Sequence, residues 1–357
     1  MLCKHRFIYK YKLYNTIMTD IENINSIIDK DILIYILNNE NTYKHFELID
    51  YNDTKFILNV DKDIVIKRIE EINNYRKSLC KLIKQPIIKQ RTPEWLEARK
   101  NRLTASDLYD AIKENKNSDI IAKKKAKIIK DNINYNAIKA LKWGTMFEPM
   151  ATRIYSQINN NINIYDFGLI CDPNNINFGA SPDGINELGI MIEIKCPYSR
   201  EIIDNYIPEK YKIQIQGQLA VCNLKECDYI ECKFLIIEEN IYIEEFNDIK
   251  INHGIIAEYI NSSGEYHYLY SDSNKNANET IDNIYEKITK FNIENEKDNK
   301  YTFLKLNYWK LEKINIQRVL FNNEEWELIN NKINIFWEKV ENYKKLPIEK
   351  FKFIEDD

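Results

Sequence analysis

The chain has 357 residues, of which 51 are Lys or Arg and 55 are Asp or Glu, for a formal net charge of −4. With 44% hydrophobic residues it can bury a sizeable core, which excludes wholesale disorder and leaves room for one α/β domain with an appendage or for two domains. The near balance of charge neither demands nor forbids a nucleic-acid partner, so what matters is where positive charge gathers.

Seven cysteines, at Cys3, Cys80, Cys171, Cys196, Cys222, Cys227 and Cys232, form no CxxC pair. With no secretory signal before them, they are expected as reduced thiols in cytosol or nucleus. The spacing of Cys222, Cys227 and Cys232 lacks the close pairs of a zinc site. His5, His45, His253 and His267 make no local ligand pair. No run reaches the roughly 18–20 apolar residues that span a bilayer. The expectation is an intracellular protein of cytoplasm or nucleus, not secreted, with no membrane partner.

In chain order, residues 1–88 read as a mainly helical N-terminal region without recognisable chemistry. Helical periodicity recurs over 21–37 and 64–83, with a short strand near 55–60. Pro86 and the basic run 81–91 read as a linker. Thr92 is a candidate cap with Pro93 at the first helical position, and Thr104 or Ser106 caps a second helix. A helix near 120–129 carries Lys123, Lys124, Lys125 and Lys127, with Lys130 just beyond. That face either follows a phosphate backbone or is merely solvated. A helix over 143–155 precedes strands at 165–171, 178–181 and 189–195. A helix over 208–222 and strands at 228–237 and 241–246 follow, although 213–216 also fits a strand. Residues 246–301 are long, polar and rich in Asn, Ser and Asp, and read as an inserted loop. The segment 324–345 is helical, with Trp326, Ile329, Ile333, Phe336, Trp337 and Val340 as its apolar stripe. Residues 346–357 form a tail. Helices around a central run of strands predict an α/β sandwich.

The chemistry concentrates in Ser181-Pro182-Asp183-Gly184 and in Met191-Ile192-Glu193-Ile194-Lys195. Pro-Asp-Gly alone is a turn signal with a solvated Asp. In a strand, however, Met191, Glu193 and Lys195 share one face, while Ile190, Ile192 and Ile194 share the other. If the antiparallel neighbour ends at Asp183, a hairpin brings Asp183 close to Glu193. Two carboxylates about 4 Å apart repel by roughly 4 kcal/mol at an effective dielectric near 20, and a divalent cation reverses that sign. Oxygen-only ligands select magnesium or manganese over zinc. The alternative is a surface Glu–Lys pair on an edge strand.

Asp183, nine intervening residues and Glu193-Ile194-Lys195 resemble the PD-(D/E)XK nuclease motif. With its neighbours the segment is similar to the lambda-exonuclease/YqaJ family of viral recombinases. Four blocks occur in that family's order. They are Trp95 to Arg99 with Leu103-Thr104-Ala105-Ser106, then Trp143-Gly144 with Glu148-Pro149 and Ala151. The Asp183 and Glu193 segments come next, followed by Tyr211 with Gln214, Gln216, Gly217, Gln218 and Leu219. The match covers about residues 91–240, with an echo in Tyr308-Trp309-Lys310 and Phe336-Trp337-Glu338.

The resemblance implies a PD-(D/E)XK-like central mixed β-sheet flanked by helices, spanning 89–345, with a mainly helical N-terminal extension. It implies that Asp183, Glu193, the backbone carbonyl of Ile194 and Glu148 hold two Mg²⁺ ions, for which Mn²⁺ substitutes. Glu148 acts directly or through water; without the resemblance it reads as a helix-surface Glu. Lys195 becomes the catalytic lysine and Gln214 positions it or the attacking water. Arg99, Ser106 and Thr104 belong to a segment that binds a 5′-phosphate. Arg200, with Ser199, touches the DNA backbone, although the family's Ser-Arg pair lies about one residue further on. Trp143 and Tyr198 stack on a base or belong to the core. Gly217 lets its helix approach the sheet closely. The expected activity is a magnesium-dependent 5′→3′ exonuclease on duplex DNA ends, in viral-type recombination or replication. Its candidate partners are a single-strand annealing protein and further copies of the chain. The rivals are an endonuclease on the same fold and a catalytically silent DNA-binding scaffold.

Overall fold

The computed structural model describes residues 48–51, 55–58, 62–86, 88, 90, 92–129, 138–159, 161–248, 252–273, 275–295 and 300–346. The helix expected over 21–37 lies outside them. Strands β1 (Leu48–Tyr51) and β2 (Lys55–Leu58) pair antiparallel, and helix α1 (Lys62–Ile83) follows, as the periodicity indicates. Helix α2 (Pro93–Lys100) starts where expected: Thr92 accepts from the Trp95 N–H at 3.3 Å, with Pro93 in the first turn. Strand β3 (Leu103–Thr104) leads into α3 (Ala105–Ala111), α4 (Lys116–Lys125) and α5 (Lys139–Ile158).

The central sheet is mixed, with helices on both faces, which is the fold class expected. It has seven strands. From the far edge inward these are β11 (Tyr266–Tyr270), β10 (His253–Asn261), β12 (Tyr301–Leu320) and β9 (Glu226–Ile237). Then come β8 (Met191–Lys195), β7 (Gly184–Asn186) and β4 (Ile164–Tyr165). Within this sheet, among the described residues, only β8 and β9 pair in parallel. Helix α6 (Glu209–Cys222) makes the crossover between them, as a parallel connection requires. A three-stranded sheet joins β3, β6 (Phe178–Ala180) and β5 (Ile170–Cys171).

Alternation along β8 divides the core as the sequence indicates. Ile190, Ile192 and Ile194 pack with Met146, Phe147 and Tyr155 of α5. Met191 packs on the other face with Ile215 and Leu219 of α6 and with Ile329, Ile333, Phe336 and Val340. Those last four are the stripe of the final helix, α9 (Asn323–Lys344). Helix α1 contributes to both layers, through Ile72 on the first and Leu79 and Leu82 on the second. Its Arg68 donates Nη2 to Glu226 Oε2 at 2.8 Å, and Tyr75 donates to Glu226 Oε1 at 3.0 Å. Arg318 binds the same carboxylate and Asp228 as well. Gly189 (φ +78°) passes so close to α1 that a Cβ there would lie 2.6 Å from the Tyr75 carbonyl.

Four expectations change. The stretch 165–171 is two short strands in different sheets, because Phe167 and Leu169 turn into the core between them. The hairpin partner of β8 is β7, which begins after Asp183; strand β6, which precedes Asp183, belongs to the small sheet. Residues 241–246 fall in helix α7 (Glu239–Glu245) and its cap. The buried pair there is Tyr242 and Phe246, four apart, while Ile241 and Ile243 are exposed. The expected loop over 246–301 holds β10, β11 and α8 (Ala277–Asn295). These elements close a third apolar cluster around Ile255, Ala257, Tyr259 and Ile284.

Candidate active site

Glu193 lies in mid-strand on β8 and is completely buried. Its Oε1 accepts from Lys195 Nζ and from Gln214 Nε2 at 2.6 Å; its Oε2 accepts from Gln218 Nε2 at 2.7 Å. Gln214 and Gln218 reach it together because they sit four residues apart on one face of α6. That helix settles the ambiguity over 213–216. Gln218 is a site residue that sequence reasoning left without a role, although the same i, i+4 spacing pointed to it. Its Oε1 is buried with no partner.

Asp183 sits in the turn before β7 and reaches across to β8, where its Oδ2 accepts the Ile194 N–H at 2.7 Å. The carboxylates thus converge as the sequence suggested, by a turn and a backbone hydrogen bond rather than by strand pairing. Burial, then the charges of Glu193 and of Glu148 on α5, hold the Asp183 carboxyl well above the usual carboxylate range. Lys195 and the Ile194 N–H pull the other way. For Lys195 burial acts downwards, but Glu193 and Asp183 outweigh it and hold the ammonium above its usual range. Its Nζ also lies 5.0 Å from the centre of the Tyr211 ring.

This donor set fits a hard divalent cation. The candidate ligand atoms are all oxygens, and the charges of Glu193 and Glu148, which add to burial in raising Asp183, are what such an ion relieves. Asp183 and Glu193 would hold it, with the Ile194 carbonyl beside them. Among the described residues no group of three or more His, Cys, Asp or Glu is arranged to hold a metal. Glu148 therefore adds charge to the site without closing a three-carboxylate cage. The Cys222 and Cys232 thiols are pushed up to about 12 by burial, which keeps them protonated and unlike zinc thiolates.

A second cluster adjoins the Asp183 turn. Arg99 Nη2 on α2 donates to Ser106 Oγ at 3.0 Å, and Thr104 Oγ1 lies 3.0 Å from the same oxygen. The N-cap of α3 is Thr104, but its hydroxyl makes no capping bond and turns to Ser106 and Asp107. The Arg99 guanidinium stacks 4.3 Å over Trp95, whose Nε1 donates to Ser181 Oγ at 3.1 Å. Trp95 and Ser181 thus link this pocket to the loop that bears Asp183. The sequence displayed both residues without revealing the link, because 86 positions separate them.

The remaining expected residues have these surroundings. Arg200 Nη2 binds buried Glu231. Within the lysine cluster, Lys125 Nζ donates to the Arg99 carbonyl at 2.9 Å and Lys123 lies over Tyr343. Trp143 packs on Phe147 and meets Tyr198 edge-on, so it belongs to the core while Tyr198 is exposed.

An Asp on a Pro-Asp-Gly turn beside a Glu-Ile-Lys strand, in a mixed sheet with helices on both faces, is similar to the PD-(D/E)XK arrangement. Residues 94–225 match the model of the YqaJ-like viral recombinase domain. A relative in Acanthamoeba polyphaga mimivirus, protein R354, is 31% identical over 171 residues. That alignment covers 42% of this chain, and the chain spans about 30% of the relative's length. Among solved structures, the alkaline exonuclease LHK-Exo of Laribacter hongkongensis aligns with a TM-score of 0.43 and 19% identity. The alignment covers 73% of this chain and 96% of that one. A phage-related exonuclease from Haemophilus somnus aligns at 0.36 and 15%, over 70% and 96%.

Proposed function

We propose that the protein is a metal-dependent deoxyribonuclease, acting as a 5′→3′ exonuclease on duplex DNA ends in viral-type recombination or replication. The observation that carries this reading is the convergence of Asp183, Glu193 and Lys195, with Gln214 and Gln218 fixing the plane of the Glu193 carboxylate. When bound, Mg²⁺ or Mn²⁺ supplies charge neutralisation at the scissile phosphate and lowers the pKa of a water. Lys195 donates to a phosphoryl oxygen or orients the attacking water. Gln214 and Gln218 keep Glu193 from rotating away when Lys195 turns to the substrate.

Arg99, Ser106 and Thr104 favour an end-directed enzyme over an endonuclease. A guanidinium with adjoining hydroxyls grips a terminal 5′-phosphate, and that grip sets the reacting bond at Asp183. Hydrolysis then releases 5′-phosphate mononucleotides.

The test is digestion of a linear 5′-phosphorylated duplex and of a covalently closed circle in magnesium. The wild type is expected to release mononucleotides from the linear duplex and to spare the circle. Lys195→Ala should be slower by roughly a hundredfold or more. Equal release by wild type and variant overturns the catalytic assignment, and digestion of the circle overturns the exonuclease reading.

A further inference from the structure

A second charged pair adjoins the first. In the parallel register of β8 and β9, Lys195 stands beside Glu231 as Glu193 stands beside Tyr229, so all four lie on one face of the sheet. Glu231 is completely buried. One of its oxygens accepts from Arg200, while Oε2 has no partner. The Tyr229 hydroxyl is buried against the same carboxylate, while Asn315 Nδ2 is buried and unpartnered, and Asn315 is in register with Glu231 across β12. The Arg200 side chain is 39% exposed, and its Nη1 donates to the Glu201 carbonyl at 3.1 Å.

A carboxylate at this depth is a costly way to fasten a loop, since an apolar side chain would hold β9 at least as well. The buried ion pair at Glu226 is built differently: both of its oxygens are engaged, by Arg68, Tyr75 and Arg318. The loop bearing Arg200 has other anchors too. Lys313 donates to the Ile202 carbonyl at 3.0 Å and pairs with Asp204 at 2.8 Å. Lys233 pairs with Glu201 at 3.3 Å, and Gln317 donates to the Tyr206 carbonyl at 3.2 Å. What the Glu231 contact adds is a fixed direction for one guanidinium next to Lys195. Because that contact is through one nitrogen, the rest of the guanidinium fork keeps donors for an anion.

We propose that Glu231 is a positioning residue. It holds Arg200 beside Lys195 so that the exposed guanidinium edge grips a DNA backbone phosphate next to the one being cut. The inference rests on the nuclease reading above. Its test is equilibrium binding of a short 5′-phosphorylated duplex in chelator, where nothing is cleaved, over a series of salt concentrations. Glu231→Gln and Arg200→Gln should each weaken binding about tenfold, the scale of one charge-assisted contact. Each should lower the log–log salt slope by about 0.9, the equivalent of one phosphate. The double variant should bind no worse than Arg200→Gln alone, and under turnover in magnesium the loss should fall on KM more than on kcat. Arg200→Lys keeps a cation on Glu231, and hence the wild-type melting temperature, but loses the fork and the same affinity.

Wild-type affinity and slope in Glu231→Gln, or losses that multiply in the double variant, overturn the proposal. If Glu231→Gln does not fold, wild-type affinity in Arg200→Lys overturns it by itself. A wild-type protein that neither binds nor cuts DNA brings down the nuclease reading and this inference with it. A wild type that does both, beside variants that match it, brings down only the role of Glu231.

Discussion

Asp183→Asn should change the sign of its effect with the presence of metal. The substitution keeps the side-chain shape, and the amide oxygen still accepts the Ile194 N–H. What disappears is a charge that burial, Glu193 and Glu148 all disfavour. Two carboxylates roughly 4–6 Å apart repel by about 3–4 kcal/mol at an effective dielectric near 20, and with Lys195 offsetting much of this the net relief is on the order of 1–2 kcal/mol. Over a chain of this length that corresponds to a melting temperature roughly 1–3 °C higher for the variant at neutral pH in chelator. The folded carboxyl titrates above its unfolded value, so native stability is fully present below about pH 3.9 and is lost as pH rises through the folded pKa. The advantage of Asn should therefore vanish near pH 3.5 and grow towards neutrality. In magnesium at about ten times the dissociation constant, the wild type gains roughly 1.4 kcal/mol and the variant gains none, which cancels or reverses the order. Thermal melts of both proteins, in chelator and in magnesium over that pH range, make the measurement. A variant that melts below the wild type in chelator, or that responds equally to magnesium, refutes the reasoning.

Two further expectations concern the frame around the site. At Gly217 an added Cβ would lie 2.9 Å from Leu108 Cδ2 and 3.1 Å from Phe178 Cζ, both in fully buried residues. Gly217→Ala gains about 1 kcal/mol of helix propensity but should lose more to overpacking, for a net loss of roughly 1 kcal/mol in chemical denaturation; a net gain would show that α6 and α3 have room to part. Arg68→Met leaves Glu226 with Arg318 and Tyr75 and should cost about 2–3 kcal/mol. A change below about 0.5 kcal/mol in the same assay would mean that α1 is held by its apolar face alone.

The site was legible where strand alternation and helical spacing act over a few residues. Glu193 and Lys195 share a face because side chains alternate, and Gln214 reaches Glu193 because α6 brings its fourth neighbours into line. Gly217 was expected to permit close approach to the sheet, and besides Phe178 of β6 its nearest neighbour is Leu108 on α3. What escaped was set by contacts distant in sequence. The pairing of Arg200 with Glu231 depends on the register of two strands joined through a helix, and nothing near Arg200 in the sequence announces it. Tyr242 and Phe246 carry a helical period, but the interleaved Ile241 and Ile243 imitate a strand. Residues 253–270 alternate as a hairpin should, at Ile255, Ala257 and Tyr259, yet the polar composition around them reads as a loop.

Strand β12 hydrogen-bonds to β10 along Tyr301–Lys310 and to β9 along Tyr308–Leu320, and the two ladders overlap only at Tyr308, Trp309 and Lys310. One half of the strand carries the layer of β10, β11 and α8, and the other half braces the neighbour of β8. The outer layer thus meets the central strands through a three-residue overlap, and α5 fastens it a second time, by Arg153 on the Ser271 carbonyl at 2.7 Å and Tyr270 on the Met146 carbonyl at 3.1 Å. Because the ladder that sets β9 runs along the other half of β12, the outer layer and the register of Glu231 beside Lys195 rest on separate stretches of one strand.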